Sequence, residues 1–255
     1  MTQENNLKLD DLAPIVLFVY NRPDHTRQTV EALQKNELAI DSELFIYSDA
    51  AKNENAEQKV NEVRQYIKDI NGFKRVTIIE REKNWGLANS IIDGVTKIVN
   101  EYGKIIVLED DLVTSPYFLK FMNGALEIYK DEEKVYNITG YSFSDDISLI
   151  DSTYFLSITS SWSWATWEHK WQDFKRDKQA LQKYIDNKSN RNVFNFNNSY
   201  DYVSMAKKQL EGKLDSWAIF WYFSVLQKQG LTLYPSKSLV HNIGFDGSGV
   251  HCGDN

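Results

Sequence analysis

The sequence predicts an α/β fold with a mostly parallel central sheet flanked by helices. Within residues 14–111, short aliphatic runs alternate with longer segments of helical periodicity, an order that indicates parallel strands joined by crossover helices. Polar residues follow each of these runs, at the edge where ligands of open α/β sheets bind. Neither a P-loop nor a G-x-G-x-x-G motif is present, so those two nucleotide sites are not expected.

Aliphatic runs of strand length define the sheet. The first four are "PIVLFVY" (14–20), "ELFIYSD" (43–49), "RVTIIE" (75–80) and "KIIVLE" (104–109). Shorter strands are predicted at "KVYNITGY" (134–141), "STYFLSI" (152–158) and "LTLYP" (231–235). The regular alternation of strands and helices therefore ends at about residue 135.

Helices are predicted where apolar residues recur at helical spacing. They cover residues 21–35, with Asp24 as the cap, then 54–70, 86–102 and 214–230, with Gly230 as the C-terminal cap of the last. In the aromatic segment, Trp164, Trp167 and Trp171 have the spacing of one helical face, which favours packing in the core.

Composition limits the class of protein. The 255 residues fit one domain in two halves, 14–111 for a nucleotide sugar and 112–255 for an acceptor, the latter ending in a flexible glycine-rich segment. A net charge of −7 disfavours nucleic acid as a partner, because phosphate contacts dominate that affinity. No apolar leader or transmembrane segment is present, so we expect a cytoplasmic protein, with peripheral contact at the inner face of the membrane left open.

Three adjacent acids, Glu109, Asp110 and Asp111, end the fourth strand. They could form a solvated turn, a carboxylate pair for acid–base chemistry, or a site for a hard cation such as Mn²⁺ or Mg²⁺. A cation would neutralise their mutual repulsion. It would also explain how an acidic protein holds a diphosphate, whose remaining oxygens complete the coordination shell.

These motifs resemble those of known enzymes. "VYNRP" (19–23) and the acids 109–111 resemble the GT-A glycosyltransferases, the latter in the form found in N-acetylglucosaminyltransferase I. "EKNWGLANSIIDGV" (82–95) resembles the helix start of family-two bacterial glycosyltransferases. Residues 157–174, 214–220 and 235–253 resemble the C-terminal half of N-acetylglucosaminyltransferase I, except that Ser216 replaces the second acid of its catalytic site.

The resemblance implies a metal-dependent, inverting glycosyltransferase, with a UDP- or dTDP-sugar as donor and UDP favoured. By the same resemblance, Asp111 binds the metal, Asp110 faces the ribose, Glu109 faces the transferred sugar, and Asp49 reads the base. Asp215 corresponds to the catalytic base. From the sequence alone, each of Asp49 and Asp215 could instead cap the helix that follows it.

Further residues are expected to contact substrates. The donor-binding set comprises Asn21, Arg22, Asn84, Trp85, Gly86, Leu87, Asn89 and, in the tail, His251. Trp162 and Trp164 are expected to stack on the acceptor sugar. Arg22 could instead be a surface residue, and the tryptophans could be core residues. The tail is expected to close over the donor and exclude water.

The expected acceptor is a glycan, a lipid-linked glycan or a protein glycan, as in bacterial polysaccharide biosynthesis. Two other functions stay open. One is an inactive module that binds a sugar or nucleotide, which the full set of acids argues against. The other is a sugar-1-phosphate nucleotidyltransferase, which needs a glycine-rich basic loop after the first strand, where this chain has "YNRPDH".

Overall fold

The computed structural model describes residues 11–143 and 152–247. It confirms the α/β fold, with a large, mostly parallel sheet flanked by helices. The strands are β1 (Ile15–Val19), β2 (Glu43–Ser48), β3 (Arg75–Glu80), β4 (Lys104–Glu109), β5 (Leu112–Thr114), β6 (Val135–Thr139), β7 (Tyr154–Leu156), β8 (Trp164–Trp167), β9 (Leu231–Tyr234) and β10 (Val240–Asn242).

Nine α-helices lie in the described part of the chain. They are α1 (Pro23–Gln34), α2 (Glu54–Ile67), α3 (Leu87–Tyr102), α4 (Phe118–Ile128), α5 (Glu168–Trp171), α6 (Lys178–Asp186), α7 (Lys188–Phe194), α8 (Tyr202–Leu210) and α9 (Trp217–Gln227). A short 3₁₀ turn spans Ala39–Asp41. No helix within residues 11–143 and 152–247 has the length and apolar character that crossing a membrane requires.

Eight strands form the main sheet in the order β3-β2-β1-β4-β8-β6-β9-β7. The first four are parallel, and β8 pairs antiparallel with both β4 and β6. Successive strands from β1 to β3 are added on one side of β1, whereas β4 lies on the other side. The strand order therefore reverses between β1 and β4, which is where open α/β sheets bind ligands.

Both faces of the sheet are covered, as the continuous apolar strands predict. Alternate residues of β1 point to opposite faces, so Leu17 packs with α1 and α4 while Val16 packs with α3 and α9. A third apolar cluster lies among α6, α7, α8 and α9. The first two clusters each contain residues from both halves of the chain.

Two predicted caps are wrong. Helix α1 starts at Pro23, whose fixed φ suits the first helical position, so Asp24 lies inside the first turn. Helix α9 ends at Gln227, and Gln229, not Gly230, takes the left-handed backbone conformation with φ of 53°. Gly230 is needed for space instead, since a Cβ there would lie 2.7 Å from the Tyr136 ring.

The predicted helical face in the aromatic segment is also wrong. Trp164 and Trp167 lie in β8, where residues three apart point to opposite faces. Trp164 accordingly joins the cluster beneath α3 and α9, and Trp167 joins the cluster beneath α1 and α4. Because both faces of β8 are buried, its sequence lacks the apolar–polar alternation that would have revealed a strand.

Candidate active site at the carboxyl edge of the sheet

Arg22 connects the two strands between which the sheet order reverses. It follows β1, and its Nη2 donates hydrogen bonds to Asp110 and Asp111, which follow β4. The bond to Asp111 Oδ2 is 2.9 Å long. Asp110 and Asp111 are 4% and 7% exposed, so the structure excludes a solvated turn for these two acids. Burial lowers the pKa of Arg22, but the two carboxylates outweigh it and the net shift is upward.

Glu109, the last residue of β4, is the acid of the three whose negative charge is least compensated by positive charge nearby. Burial raises the pKa of its carboxyl group to about 8, and the charges of Asp111 and Asp110 act in the same direction, against Arg22. Burial also raises the pKa of Asp110, although Arg22 opposes that shift. Two negative charges beside a single guanidinium therefore make it costly to ionise the third acid.

The C-terminal segment of the described chain covers the acids. Strand β5 directly follows the acidic triplet in the chain, and β10 pairs antiparallel with it. Just after β10, the Ile243 N–H donates a hydrogen bond of 2.9 Å to the Asp111 carbonyl. His25 Nε2 lies 3.2 Å from the Ile243 carbonyl and 3.2 Å from an Asp246 carboxylate oxygen. A Cβ on Gly244 would lie only 2.3 Å from Asp111 Oδ2. The chain thus passes as close to Asp111 as a residue without a side chain allows.

Asp49 holds the loop that precedes α3. It follows β2, and its carboxylate accepts hydrogen bonds from the backbone N–H groups of Ala50, Trp85 and Gly86 and from the Asn84 side chain, at 2.8–3.1 Å. Asn53, not Asp49, occupies the cap position of α2. The helix-cap explanation of Asp49 is therefore wrong, and base reading stays a prediction for a carboxylate already engaged by four donors.

The held loop starts α3 in a conformation that requires glycine. Gly86 has φ of 73° and ψ of 158°, a region essentially restricted to glycine. Trp85 packs against the guanidinium of Arg81, whose carbon lies 4.0 Å from the ring centre, and Arg81 pairs with Asp93 on α3. Leu87, the first residue of α3, is 39% exposed. The loop thus has a fixed backbone and exposes part of its surface at the carboxyl edge.

The side chain of Arg176 connects the start of α3 to Asp215, the predicted base. Its two terminal nitrogens donate to Asn89 Oδ1 at 3.0 Å and to Asp215 Oδ1 at 2.8 Å. The Asp215 side chain is 55% exposed, and Ser216 caps α9 by accepting from the Ile219 N–H. The helix-cap explanation of Asp215 is therefore wrong. A groove of about 860 Å³ runs along α3 from this point, lined in part by Trp85, Asn89 and Arg176.

The two tryptophans predicted to bind acceptor differ in their placement. Trp164 is 1% exposed and packs among Trp171, Trp217 and Trp221, so no face is left for a sugar and that prediction is contradicted. Trp162 is only partly buried and contacts the rings of Tyr141 and Phe245. Its acceptor role stays a prediction.

Asn21 and His251 complete the predicted donor-binding set. Asn21 is partly buried between β1 and Arg22, at the same edge as the acids. His251 and the rest of 248–255 lie outside the described residues, so the predicted contact of His251 and the predicted closure of the tail stay predictions. The sequence did not single out Arg176, because its partners Asn89 and Asp215 are distant in the chain. Arg81 was also missed, although its partners Trp85 and Asp93 are near it in sequence.

The acids suit a divalent cation held jointly with a substrate. Within the described ranges, no three His, Cys, Asp or Glu side chains are arranged to hold a metal ion by themselves. Mg²⁺ and related ions, however, are commonly bound by one or two carboxylates plus substrate phosphates. Asp111 supplies a hard oxygen ligand of this kind, and Asp110 lies beside it, since both carboxylates bind the same nitrogen of Arg22.

Comparison with known proteins identifies the family. No curated protein matches the chain. Among solved structures, the chain is similar to S. aureus TarS (1–349) in complex with UDP-GlcNAc, at 9% identity and a TM-score of 0.48, over 89% of this chain and 57% of that one. It is also similar to the mannosyltransferase PcManGT of Pyrobaculum calidifontis in complex with GDP-Man and Mn²⁺, at 11% identity and a TM-score of 0.46, over 85% and 77%.

The family-two part of the predicted resemblance is confirmed, whereas the likeness to N-acetylglucosaminyltransferase I stays a prediction. The sequence profile described as glycosyl transferase family 2 matches residues 15–187, which include β1 to β4, the acidic triplet and the loop held by Asp49. That match covers more than half of the chain and agrees with the GT-A arrangement of its sheet. The chain belongs to glycosyl transferase family 2.

Proposed function

We propose that this glycosyltransferase moves a sugar from a UDP- or dTDP-sugar to a hydroxyl group of a glycan, a lipid-linked glycan or a protein glycan, with inversion and with Mn²⁺ or Mg²⁺. The observation that carries the proposal is the pair of buried carboxylates, Asp110 and Asp111, at the point where the sheet order reverses. An acid pair kept there at the cost of desolvation favours a charged ligand over a structural role.

On the donor side, each of the three acids has a separate task. Asp111 holds the metal, Asp110 faces the ribose, and Glu109 faces the transferred sugar. When bound, the metal supplies positive charge that stabilises the departing diphosphate. Asp49 contributes by holding the loop 84–86, so that the backbone at the start of α3 has one conformation when the donor arrives.

On the acceptor side, Asp215 takes the proton. The acceptor oxygen attacks the anomeric carbon, the bond from that carbon to the diphosphate oxygen breaks, and the proton of the acceptor hydroxyl passes to the Asp215 carboxylate. The exposure of Asp215 lets an acceptor reach it, and Arg176 fixes its position relative to Asn89 on α3. Trp162 lies at the same edge as a candidate platform for the acceptor sugar.

Replacing Asp111 tests the metal-dependent mechanism. We expect Asp111→Asn to abolish transfer and to weaken binding of UDP in the presence of Mn²⁺, because a neutral amide lacks the negative charge with which a carboxylate attracts a divalent cation. The measurement is release of UDP from UDP-sugars with a glycan acceptor, together with UDP titration. Asp69→Asn is the matched control, since Asp69 is exposed and follows α2, at the opposite edge of the sheet.

The same assay separates the alternatives. Undiminished transfer by the parent protein in excess EDTA would contradict the metal requirement. Binding of the donor without turnover, for any acceptor tested, would favour an inactive module. Formation of a nucleotide sugar from a sugar 1-phosphate and a nucleoside triphosphate would identify a nucleotidyltransferase and overturn the proposal.

A further inference from the structure

We propose that Arg22 is the resident counter-ion of the acidic site and that a divalent cation must displace its guanidinium in order to bind. The inference rests on the proposed function, since it assumes that Asp111 holds the metal and that Asp110 lies beside it. It assigns Arg22 a positioning role: the residue controls when the acids are available and where its own charge goes afterwards.

The first argument is the position of the guanidinium. One nitrogen, Nη2, binds Oδ1 of Asp110 and Oδ2 of Asp111 at the same time. A cation held by Asp111 would bind a carboxylate oxygen at about 2.0–2.6 Å. Arg22 Nη2 already lies 2.9 Å from Asp111 Oδ2, so a cation on that oxygen would have to replace it.

The second argument is charge. Among the described residues, Arg22 is the only ion-pair partner of Asp110 and of Asp111. Without it, two buried carboxylates would lack a counter-charge, which is strongly unfavourable. Arg22 therefore stabilises the fold before any metal arrives. A divalent ion entering the same site removes that need and repels the guanidinium.

The third argument is that Arg22 has an unused hydrogen-bond donor. Its Nη1 is buried and has no hydrogen-bond partner among the residues that the structure describes. The same nitrogen lies 3.1 Å from where a Cβ on Gly244 would be. A guanidinium binds phosphate oxygens through parallel N–H donors. Once displaced, Arg22 can therefore satisfy both terminal nitrogens on the donor's diphosphate.

The displacement needs only a change of side-chain conformation. The Arg22 carbonyl accepts hydrogen bonds from both the backbone N–H and the hydroxyl of Thr26, each at 2.9 Å. Thr29 fixes the other side by donating to the Asp110 carbonyl at 2.8 Å. The backbones of the two partners are thus anchored, while the long arginine side chain retains several rotatable bonds.

Titration of the donor-free chain with Mn²⁺ tests competition directly. We expect Arg22→Gln to bind Mn²⁺ at least about tenfold more tightly than the parent, because an arginine beside a carboxylate shifts its protonation by one to three pKa units and should oppose a metal similarly. Arg27→Gln is the control: it removes the same charge from an exposed position on α1 and should leave the affinity unchanged.

A purely structural role for Arg22 predicts the opposite result. Loss of the ion pair would then disorder the acids, and Arg22→Gln would bind Mn²⁺ more weakly than the parent or not at all. Either of those outcomes, or an affinity equal to that of the parent, overturns the proposal. In EDTA, we expect the variant to melt at a lower temperature than the parent, and Mn²⁺ to restore most of the difference.

A measurement on the parent protein covers the case in which the variant does not fold. Arg22 is to be modified with phenylglyoxal and quantified by peptide mass spectrometry, with Arg27 as the internal reference. We expect the rate at Arg22 to rise when Mn²⁺ saturates the donor-free chain and to fall again when UDP is added. A rate that Mn²⁺ leaves unchanged or lowers contradicts displacement.

These results are distinguishable from a failure of the proposed function. If the parent transfers sugar only with a divalent cation but Arg22→Gln gains no affinity for Mn²⁺, the inference about Arg22 alone is wrong. If no nucleotide sugar is turned over with any cation, the proposed function is wrong, whatever Arg22 does.

Discussion

Asp215 and Ser216 are neighbours with separable tasks. Ser216 caps α9, whereas the carboxylate of Asp215 points to Arg176 and solvent. We expect Asp215→Asn to reduce transfer by at least about a hundredfold, the low end for a general base, with little change in stability. Ser216→Ala should do the reverse, costing about 1 kcal/mol of unfolding free energy with near-normal turnover per folded molecule.

Measuring turnover and urea unfolding on both variants decides the assignment. Comparable turnover by Asp215→Asn and the parent would remove Asp215 from the mechanism. Retention of the anomeric configuration in the product would also contradict it, since a retaining reaction does not use a base in this way. Donor affinity should stay unchanged in both variants, because neither residue is placed on the donor side.

At the scale of single residues, the sequence predicted which side chains belong to the site better than it predicted which residues they contact. The acids 109–111 and Arg22 stand out because each follows a predicted strand, and the structure brings Arg22 to Asp110 and Asp111. That Arg22 pairs with them could not be predicted, since it depends on which strands are neighbours. The sequence favoured core packing for Trp164 but left an acceptor role open, because its partners Trp217 and Trp221 lie more than fifty residues away.

At the scale of elements, the start of α3 depends on one glycine. Gly86 has a positive φ but no atom within 4 Å of the position of a Cβ, so replacing it by alanine introduces backbone strain without a clash. We expect Gly86→Ala to cost about 1–3 kcal/mol and to weaken donor binding, because the loop held by Asp49 would have to shift. Urea unfolding and titration with UDP in Mn²⁺ measure the two effects.

Gly124→Ala is the control for that prediction. Gly124 lies inside α4, has an ordinary helical φ, and likewise has nothing within 4 Å of a Cβ. Alanine there should stabilise the protein by about 0.4–1 kcal/mol and leave donor binding unchanged. If the two variants have equal effects on donor affinity, the conformation of Gly86 does not matter for the donor.

Elements in the first half were easier to predict than elements in the second. Strands β1 to β4 contain apolar runs separated by amphipathic helices, and the predicted bounds of these strands differ from the structure by at most one residue. Helices α6, α7 and α8 were not predicted, because they are short and bury few residues each. Strand β8 was mistaken for part of a helix, since both of its faces are buried.

At the scale of the whole molecule, the hydrophobic core contains residues from both the predicted donor half and the predicted acceptor half. One cluster packs Leu17 of β1 against residues of α4, β6 and β9, and another packs Val16 with Trp164 and Trp221. Six of the seven tryptophans lie between residues 162 and 221, so fluorescence reports mainly on the second half. Far-UV circular dichroism reports on all helices and strands. The two probes can therefore detect whether the halves unfold together.

We expect a single unfolding transition for the whole chain, with coincident curves from fluorescence and circular dichroism. Leu17→Ala removes a fully buried side chain from the first half and should cost about 2–5 kcal/mol. If the core is shared, the fluorescence transition of the second half should move by the same amount as the dichroism transition. Ile128→Ala, at a residue that is 56% exposed at the end of α4, should shift both by less than about 0.5 kcal/mol. Two separated transitions, with Leu17→Ala moving only the dichroism curve, would show that the halves are independent domains joined by a sheet that does not couple them.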